Sequence, residues 1–390
     1  MTWAWVVIGL SAGIALYAYA LYPAMLALLG VIVRRPPAAW PAEWPELTIT
    51  VPVYNGAPVI RETLDAILAV DYPADRRHVL VISDASTDGT DDLVATYADR
   101  GVGLMRLPER GGKTAAENAA RTGLRGGIVV NTDASVRLDP HGLKPLIAAF
   151  EDPTVGIASG RDISVAHTGD RTNAGEAGYV GYEMWVRDLE TALGGIVGAS
   201  GCFYASRTEL HMEVVPSALS RDFAAPLIAR ENGFRAVSVP DALCYVPRVQ
   251  SLEREYHRKV RTMTRGLETL FYKRHLLNPF RHPRFAWMLF SHKLARWLVP
   301  WAVVGVLGGT VVLAMQHPWA RLALGLAGAG VALGVVGWYW SSARRAPKLV
   351  SFPAYFLFGI LAGLHAWMNA LRGDLTPTWE PTKRDLAVRP

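Results

Sequence analysis

The stretch IVVNTDAS at residues 128–135 decides the fold class that this sequence predicts. Its apolar start is typical of a buried strand, which ends where Asp133 and Ser135 follow. Similar apolar runs alternate with helical periodicity between residues 47 and 165. The predicted strands are Leu47–Val53, Val79–Ser83, Gly103–Leu107, Gly127–Asn131 and Val155–Ser159. The predicted helices are Val59–Val70, Thr90–Arg100, Thr114–Leu124 and Gly142–Phe150. This alternation predicts a parallel α/β sheet with right-handed crossovers.

Acidic residues follow two of these strands. Asp84 comes directly after the second strand, and Asp133 follows the fourth. Ligands of parallel α/β sheets bind beyond the carboxyl ends of the strands, so both carboxylates are predicted to face one crevice. The plainer interpretation is that such residues only form turns or cap helices, and we give that interpretation to Ser86 and Asp88.

Two glycine-rich stretches resemble catalytic motifs but lack a required residue. GGKT at residues 111–114 resembles the end of a P-loop, but the first glycine of that motif is replaced by Leu107. GASGC at residues 198–202 lacks the final glycine of a nucleophile elbow. No G-x-G-x-x-G motif follows the first strand, which argues against a dinucleotide-binding domain. P-loop hydrolysis and serine hydrolysis are therefore excluded.

The composition points to a membrane. The chain has 390 residues, of which 51% are hydrophobic and only 19% charged. Four segments contain no Asp, Glu, Lys or Arg: Trp3–Val33, Trp297–Ala320, Leu322–Ala343 and Leu349–Leu371. Each reaches the ~20 residues that cross a hydrocarbon core, so membrane insertion is favoured over burial in a soluble core.

Basic residues predict the orientation. Arg34 and Arg35 place the end of the first segment in the cytoplasm, and the basic loop Ser341–Lys348 also belongs inside. The side on which the tail after Arg372 lies stays open. Cys202 and Cys244 fit no metal spacing and are interpreted as reduced thiols. The net charge of +6 is modest and favours anionic lipids or phosphorylated ligands over nucleic acid.

The segment Leu252–Phe271 is predicted to be an amphipathic helix. Its apolar positions are Leu252, Tyr256, Val260, Met263, Leu267 and Leu270, and its opposite face carries Arg254, Arg258, Arg261 and Arg265. One interpretation is a basic helix that lies on an anionic membrane surface. That interpretation leaves room for one arginine to contact a phosphorylated ligand.

Seven short motifs occur in order along the chain. They are VPVYNG (51–56), SDASTDGT (83–90), GKTAAEN (112–118), TDAS (132–135), GCFYA (201–205), RDF (221–223) and RKVR (258–261). This set resembles the inverting family 2 glycosyltransferases of GT-A fold, in the membrane-bound branch with cellulose, chitin and hyaluronan synthases. The resemblance covers about residues 47–270. SHKL (291–294) and WEPTKR (379–384) look like parts of bacterial exopolysaccharide members of that branch.

The resemblance implies a cytoplasmic α/β domain of GT-A fold, which is Rossmann-like with a mainly parallel sheet, together with transmembrane α-helices. The expected divisions are a transmembrane anchor (1–33), a linker (34–46), the catalytic domain (47–250), basic interfacial helices (251–292), about three C-terminal transmembrane segments (293–372) and a tail (373–390).

It also implies a role for each matching residue. Asp222 takes the position of the catalytic base. The nucleotide sugar is expected to be bound by Pro52, Tyr54, Asp84, Lys113, Asp133, Arg258 and Arg261. The metal, Mg²⁺ or Mn²⁺, is expected at Asp133 with Ser135, and the acceptor side at Ser200, Gly201, Cys202 and Thr262. A hard cation with carboxylate and phosphate oxygens suits a nucleoside diphosphate leaving group.

Three positions depart from the family pattern. Ser135 stands in place of the second acid of the DxD motif, and Arg221 precedes Asp222 where the family usually has an acid. Thr262 replaces a tryptophan that stacks on the acceptor sugar in polymer-forming synthases. Processive polymerisation and addition of a single sugar therefore both stay open.

The leading hypothesis is an inverting transferase of the bacterial inner membrane that uses a nucleotide sugar, with a UDP-sugar expected. Its acceptor is a glycan or a lipid-linked molecule in exopolysaccharide, capsule or glycolipid synthesis. The rival enzyme is a polyprenyl-phosphate monosaccharide transferase. A catalytically silent scaffold that binds nucleotide sugars is the non-enzymatic alternative. Four membrane segments are few for a wide channel, so export of product would require a homo-oligomer or an export partner.

Overall fold

A computed structural model describes residues 2–31, 39–165, 174–247, 252–340, 347–374 and 378. Its contacts divide the chain into two compact units. One unit holds the β-sheet and the helices packed on it, and the other holds long apolar helices from both ends of the chain. The predicted basic flank Arg34–Arg35, the residues Arg344 and Arg345, and the WEPTKR motif lie outside the described residues.

The sheet has eight strands in the order β3-β2-β1-β4-β7-β6-β8-β5. They are β1 Leu47–Val53, β2 Arg77–Ser83, β3 Val102–Arg106, β4 Ile128–Thr132, β5 Arg137–Leu138, β6 Val155–Val165, β7 Phe203–Arg207 and β8 Arg235–Pro247. β1 pairs in parallel with both β2 and β4, and β2 pairs in parallel with β3. The mainly parallel sheet predicted from the sequence is therefore confirmed.

Short helices connect these strands and cover the sheet. They are α3 Ile60–Leu68, α4 Thr90–Ala95, α5 Lys113–Ala119, α6 Leu143–Ala148, α7 Ala174–Leu193, α8 Thr208–His211 and α9 Arg221–Glu231. Three predicted helices extend too far, because each ends in a separate 3₁₀ turn: Ala98–Arg100, Ala120–Gly123 and Ala149–Glu151. Tightening of a last turn into 3₁₀ geometry is common where the chain leaves a helix.

The antiparallel strand β7 was not predicted. It lies between β4 and β6 and runs opposite to both, with Thr132 paired to Phe203. Because β7 begins where β4 ends, the loop before β7 lies at the same edge of the sheet as the carboxyl ends of β1, β2 and β4. This topology brings the segment around Gly201 to the edge that carries Asp84 and Asp133.

Apolar side chains fill both faces of the sheet. One buried cluster packs β1, β2 and β4 against α3 and α6 through residues such as Ile49, Leu64 and Leu146. A second cluster packs Ile157 and Tyr204 against Ile228 of α9. Each fully buried side chain of this size contributes about 1.5–3 kcal/mol to folding. The strand edges are thereby held in fixed positions.

Four helical segments among the described residues are long and apolar enough to cross a membrane: Thr2–Gly30, Pro283–Ala314, Pro318–Trp338 and Leu349–Arg372. They comprise α1 Thr2–Leu16, α2 Tyr22–Gly30, α11 Pro283–Leu289, α12 Ala295–Ala314, α13 Pro318–Trp338 and α14 Lys348–Arg372. Two π-helical turns, Tyr17–Leu21 and Phe290–Leu294, interrupt the first two segments.

The boundary between the second and third segments differs from the expectation. The charge-free run Trp297–Ala320 was taken as one segment, but the helix ends at Ala314 and α13 begins at Pro318. Proline is favoured in the first turn of a helix because its missing N–H has no partner there. Absence of charge thus marks apolar sequence but not the ends of a helix.

The same unit contains α10, Leu252–Tyr272, which confirms the predicted amphipathic helix. It packs on α14, where the Tyr256 hydroxyl lies 3.1 Å from His365 Nδ1 and Lys259 Nζ donates to the Tyr355 hydroxyl at 2.9 Å. α1 packs along α12, and a Cβ atom on Gly309 would lie only 3.0 Å from the Ala4 carbonyl oxygen. Glycine therefore allows these two helices to approach closely.

Candidate active site

Lys113 joins two loops at the edge of the sheet. Its Nζ atom donates to Asp133 Oδ1 at 2.6 Å and to the Gly201 carbonyl oxygen at 2.8 Å. Asp133 follows β4, and Gly201 lies just before β7, so the contact depends on the antiparallel pairing of these strands. Burial alone lowers the pKa of Lys113, but the negative charges of Asp133, Glu117 and Asp222 outweigh it and raise the pKa well above its usual value.

Asp222 lies in the first turn of α9, beside Gly201. Its Oδ1 atom accepts hydrogen bonds from the Ser220 hydroxyl and, at 2.9 Å, from the Phe223 backbone N–H. A Cβ atom on Gly201 would lie 2.6 Å from Asp222 Oδ2. Glycine is therefore required at position 201 for this close approach. The arrangement brings the predicted catalytic base and the predicted metal ligand to the same pair of loops.

Asp84 is fully buried and binds the loop that precedes Lys113. Its two carboxylate oxygens accept hydrogen bonds from the backbone N–H groups of Gly111 (2.7 Å) and Gly112 (2.9 Å). Charge-assisted bonds of this kind are among the stronger hydrogen bonds in proteins. Asp84 therefore positions Lys113 through its loop. Its predicted contact with the nucleotide stays a prediction.

The loops after β1 and β2 hold each other in place. Asn55 and Ala85 both have positive φ angles, 49° and 57°, which side-chain-bearing residues rarely adopt. The Asn55 side-chain oxygen accepts from the Thr87 N–H at 2.8 Å, and Ser86 Oγ accepts from the Asn55 N–H at 3.1 Å. Asp88 accepts from the N–H groups of Thr90 and Ala57, which agrees with the turn-forming roles predicted for Ser86 and Asp88.

The aromatic ring of Tyr54 lies at the end of β1, two residues after the buried Pro52. The guanidinium of Arg110 stacks over it, 3.8 Å from the ring centroid. Such a stack presents a flat, partly polar surface of the kind on which a nucleobase can pack. Arg110 was not predicted as a site residue.

A buried acid and a half-buried acid near the site were also missed. Glu117 is 1% exposed, one helical turn beyond Lys113 in α5. Burial raises its pKa to about 7, against the opposing charges of Lys113 and Arg221. Asp162 in β6 accepts a 2.6 Å hydrogen bond from Ser200 Oγ, and burial raises its pKa despite that bond. The sequence showed both acids but contained no signal of how far each is withdrawn from water.

The other acceptor-side residues have structural contacts. Ser200 Oγ also accepts from the Cys202 backbone N–H at 3.0 Å, and the Cys202 carbonyl accepts from Thr132 Oγ1 at 2.9 Å. These bonds shape the loop that carries Gly201. Cys202 and Cys244 are free thiols, as expected.

Arg221, the unexpected residue before Asp222, is buried and anchors loops. Its guanidinium donates to Asn118 Oδ1 at 2.5 Å, to the His211 carbonyl and to the Glu213 carbonyl at 3.2 Å. Thr114 and Asn118 of α5 bind the same region at the carbonyls of Leu219 and Val215. α5 and α9 are thus linked behind the site.

The remaining predicted residues lie on α10, in the other unit. Arg258 forms two hydrogen bonds with Glu255, at 2.6 and 2.7 Å. Arg261 is half-buried; burial and the charges of Arg265 and Arg258 lower its pKa to about 10. Thr262 is exposed. Because the positive charges of Arg258 and Arg265 act on Arg261, this residue is suited to bind an anion.

Within the described residues, no three His, Cys, Asp or Glu side chains are grouped closely enough to form a metal site. Asp133 offers a carboxylate, and Ser135 a hydroxyl, two residues apart in one loop. Oxygen donors of this kind fit a hard divalent cation that takes its other ligands from phosphate and water.

Comparison with known proteins identifies the domain. Residues 48–212 match the family model described as Glycosyl transferase family 2. An N-acetylglucosaminyltransferase of Rhizobium sp. is 26% identical over 260 residues, which cover 59% of this chain and 56% of that protein. A beta-monoglucosyldiacylglycerol synthase of Synechocystis sp. is 26% identical over 157 residues, which cover 39% and 33% of the two chains. The chain spans about half the length of the first of these curated relatives.

A solved structure has the same fold. The mannosyltransferase PcManGT from Pyrobaculum calidifontis, in complex with GDP-Man and Mn²⁺, matches with a TM-score of 0.73 at 24% identity. The match covers 94% of this chain and 99% of that one. This likeness establishes the GT-A architecture of the sheet. Residues 48–212 of this chain therefore form a glycosyltransferase family 2 domain, built on a mainly parallel GT-A sheet.

Proposed function

We propose that this chain is an inverting glycosyltransferase that moves a sugar from a nucleotide sugar to a glycan or lipid-linked acceptor at a membrane. The observation that carries the proposal is the contact network Asp133–Lys113–Gly201–Asp222. It puts a candidate cation ligand and a candidate base on adjoining loops at the carboxyl edge of the sheet. Ligands of such sheets bind at this edge.

Asp222 is assigned the acceptor side. Both hydrogen bonds that the described residues donate to its carboxylate go to Oδ1, and none of these residues donates to Oδ2 beside Gly201. In this mechanism Oδ2 takes the proton of an acceptor hydroxyl, while the hydroxyl oxygen forms a bond to the anomeric carbon. The bond from that carbon to the diphosphate breaks, and the diphosphate leaves with the electron pair. One displacement of this kind inverts the anomeric configuration.

Asp133, with Ser135, is assigned the donor side. A divalent Mg²⁺ or Mn²⁺ held there would compensate the charge that develops on the leaving diphosphate. Lys113 adds a positive charge beside this site. Tyr54 with Arg110, and Arg258 and Arg261 on α10, are assigned to the base and the phosphates of the nucleotide.

The membrane assignment rests on the four apolar helical segments. We assign residues 1–33 as an anchor, 34–46 as a linker, 47–250 as a cytoplasmic catalytic domain and 251–292 as interfacial helices. Residues 293–372 then span the bacterial inner membrane, followed by the tail 373–390. The names of the relatives, which include an N-acetylglucosaminyltransferase and a glycolipid synthase, agree with a glycan or lipid acceptor.

Nucleotide release by the purified protein tests the proposal. A panel of UDP-, GDP- and dTDP-sugars is supplied with and without Mn²⁺, and release is measured in the presence of membrane lipids. We expect metal-dependent release from one donor class. Asp222→Asn should lower kcat about 10²–10⁴-fold and leave donor affinity nearly unchanged. Wild-type rates in Asp222→Asn would remove the role given to this residue.

A second candidate function is the transfer of one sugar to a polyprenyl phosphate. The exposed Thr262 favours it, because a threonine cannot stack on an acceptor sugar as an aromatic side chain does. Product length separates the candidates. A ladder of oligomers supports a synthase, and one discrete lipid product supports the single transfer.

A further inference from the structure

Glu117 is a buried acid with one carboxylate oxygen that lacks a hydrogen bond. Its side chain is 1% exposed, and its Oε1 atom accepts no hydrogen bond from the described residues. A buried carboxylate that lacks a hydrogen bond is costly, so its presence requires an explanation. The charged or titratable groups that face it are Lys113, Asp133, Tyr204, His211, Arg221 and Asp222.

Arg221 does not supply the missing hydrogen bond. Its guanidinium donates instead to Asn118 and to the carbonyls of His211 and Glu213. Lys113 lies on the same helix, four residues before Glu117, and side chains with this spacing are neighbours. Lys113 is the cation whose long, flexible side chain can move between two acceptors.

In this structure the Lys113 ammonium is hydrogen-bonded to the Asp133 carboxylate. The 2.6 Å contact places an ammonium on Oδ1, one of the two oxygens of the carboxylate that the proposed donor side needs for a divalent cation. An ammonium and a divalent cation held by the same carboxylate repel each other at this distance. When Asp133 turns to a metal ion, the ammonium therefore requires another acceptor nearby.

We propose that Glu117 is a positioning residue that receives the Lys113 ammonium when Asp133 binds a divalent cation. The unpartnered Oε1 atom then gains its hydrogen bond, and Asp133 is released for the cation. Lys113 keeps its bond to the Gly201 carbonyl. No covalent bond changes in this step. The inference rests on the proposed function, since it presumes that Asp133 holds a metal.

Metal binding tests the exchange without a need for activity. Binding of Mn²⁺ is measured on the full-length protein in detergent, from the loss of the free-ion electron paramagnetic resonance signal, with and without UDP or GDP. Glu117→Gln removes the charged acceptor, and we expect Mn²⁺ to bind about tenfold more weakly, as is usual for residues that support a metal ligand. Glu117→Leu, of similar volume and without charge, repeats the test if the amide variant does not fold.

A double-mutant cycle shows whether Glu117 acts through Lys113. Lys113→Met removes the competing ammonium, and in that background Glu117→Gln should change Mn²⁺ affinity less than about twofold. Glu190→Gln, at another fully buried acid of the same domain, is the matched control and should bind Mn²⁺ as the wild type does.

Two results overturn the positioning role of Glu117 and leave the proposed function standing. One is that Glu117→Gln binds Mn²⁺ with wild-type affinity. The other is that Glu117→Gln weakens Mn²⁺ binding equally in the wild-type and the Lys113→Met backgrounds. If the wild type binds nucleotide sugar but no Mn²⁺, the metal assignment of Asp133 falls together with the exchange. If it binds neither, the proposed function is wrong as well. The experiment thus separates failure of the positioning role from failure of the function.

Discussion

At the scale of single residues, the site depends on how closely the backbone passes the reacting groups. The Gly201 carbonyl holds Lys113, and its Cα lies against Asp222, where a Cβ atom would stand 2.6 Å from Oδ2. That separation is below any normal contact between carbon and oxygen. A methyl group at position 201 must therefore displace the carboxylate or the loop.

We predict that Gly201→Ala lowers kcat about 100-fold, because a misplacement of about 1 Å at a reacting group has an effect of this size. KM for the nucleotide sugar should change less than kcat, since position 201 contacts the donor side through its carbonyl bond to Lys113, which an alanine retains. Steady-state kinetics of nucleotide release measures both. Gly127→Ala is the matched control, because a Cβ atom at Gly127 meets nothing within 4 Å and the variant should keep wild-type kcat. Equal rates in both variants would contradict the assignment of Asp222.

Glu117 also makes stability depend on pH. Burial raises its pKa from 4.5 to about 7 in the folded chain. The folded state therefore binds more protons than the unfolded state between these values, and the free energy of unfolding falls as pH rises through this window. The contribution of this group is roughly 3 kcal/mol, which is present below about pH 4.5 and lost above about pH 7.

Glu117→Gln should therefore flatten the pH dependence of stability. We expect the melting temperature of the wild type to fall between pH 5 and pH 8 relative to that of the variant, measured in one detergent and one buffer series. Asp162 has a raised pKa too, but it is present in both proteins and cancels from the difference. Parallel curves would show that Glu117 stays charged at pH 5.

The sequence predicted which residues gather at the site better than what each residue does there. Asp84, Asp133 and Asp222 were recognised from strand ends and motif positions. The structure adds that both oxygens of Asp84 bind backbone N–H groups, a role that depends on where the loop at Gly111 returns. Burial of Glu117 and the stack of Arg110 on Tyr54 are also products of tertiary packing. Local patterns carry no information about them.

At the scale of elements, the position of a strand along the sequence was easier to predict than the strands with which it pairs in the sheet. β1 has the predicted bounds, because large apolar residues recur at every second position from Leu47 to Val53. β7 was missed, although its insertion between β4 and β6 brings Gly201 to the site. The direction of a strand is set by its partners, and a five-residue segment such as Phe203–Arg207 does not encode it.

α10 has two competing interpretations: a basic helix that lies on an anionic membrane surface, and a helix that supplies an arginine to the nucleotide sugar. The two interpretations assign importance to different arginines. Arg254 is exposed, whereas Arg261 is half-buried, and burial together with the charges of Arg265 and Arg258 lowers its pKa to about 10. Like charges packed together favour binding of an anion such as a diphosphate. A helix that merely lies on lipid needs only the exposed charge.

We predict that Arg261→Ala raises KM for the nucleotide sugar about tenfold or more, the effect of losing one charged hydrogen bond to a phosphate. Arg254→Ala should leave KM unchanged and weaken binding of the protein to vesicles that contain anionic lipid. Donor titrations and vesicle co-sedimentation measure the two effects. If both variants lose only vesicle binding, α10 serves the membrane surface and Arg261 has no place in donor binding.

At the scale of the whole molecule, aromatic side chains mark two levels along the paired helices at the chain's N-terminus. Trp5 lies against Trp319 with ring centroids 5.5 Å apart, and Tyr22 lies against Trp287 at 5.3 Å. Residues 5 and 22 are separated by roughly 25 Å of helix, close to the thickness of a hydrocarbon core. Tryptophan and tyrosine favour the two membrane interfaces, so the levels fit a helix pair that spans a bilayer.

These levels predict which loops face each side. The turn at Met315–His317 adjoins the outer level and contains no Lys or Arg, whereas the segment 341–348 of the sequence contains Arg344, Arg345 and Lys348. Positive loops stay in the cytoplasm. We therefore predict that a cysteine placed at Gln316 reacts with a membrane-impermeant maleimide in intact cells. A cysteine placed at Ser342 should react only after permeabilisation.

The unaltered chain is the control for this labelling. Cys244 is buried and Cys202 half-buried, and both belong to the domain assigned to the cytoplasm, so intact cells should show no signal from them. A cysteine at Val388 then reports the side of the tail, which stays open because strict alternation of the segments puts it outside, whereas a re-entrant last segment would keep it inside. Labelling of Ser342→Cys from outside would invert the membrane arrangement. It would also remove the cytoplasmic supply of nucleotide sugar on which the proposed reaction depends.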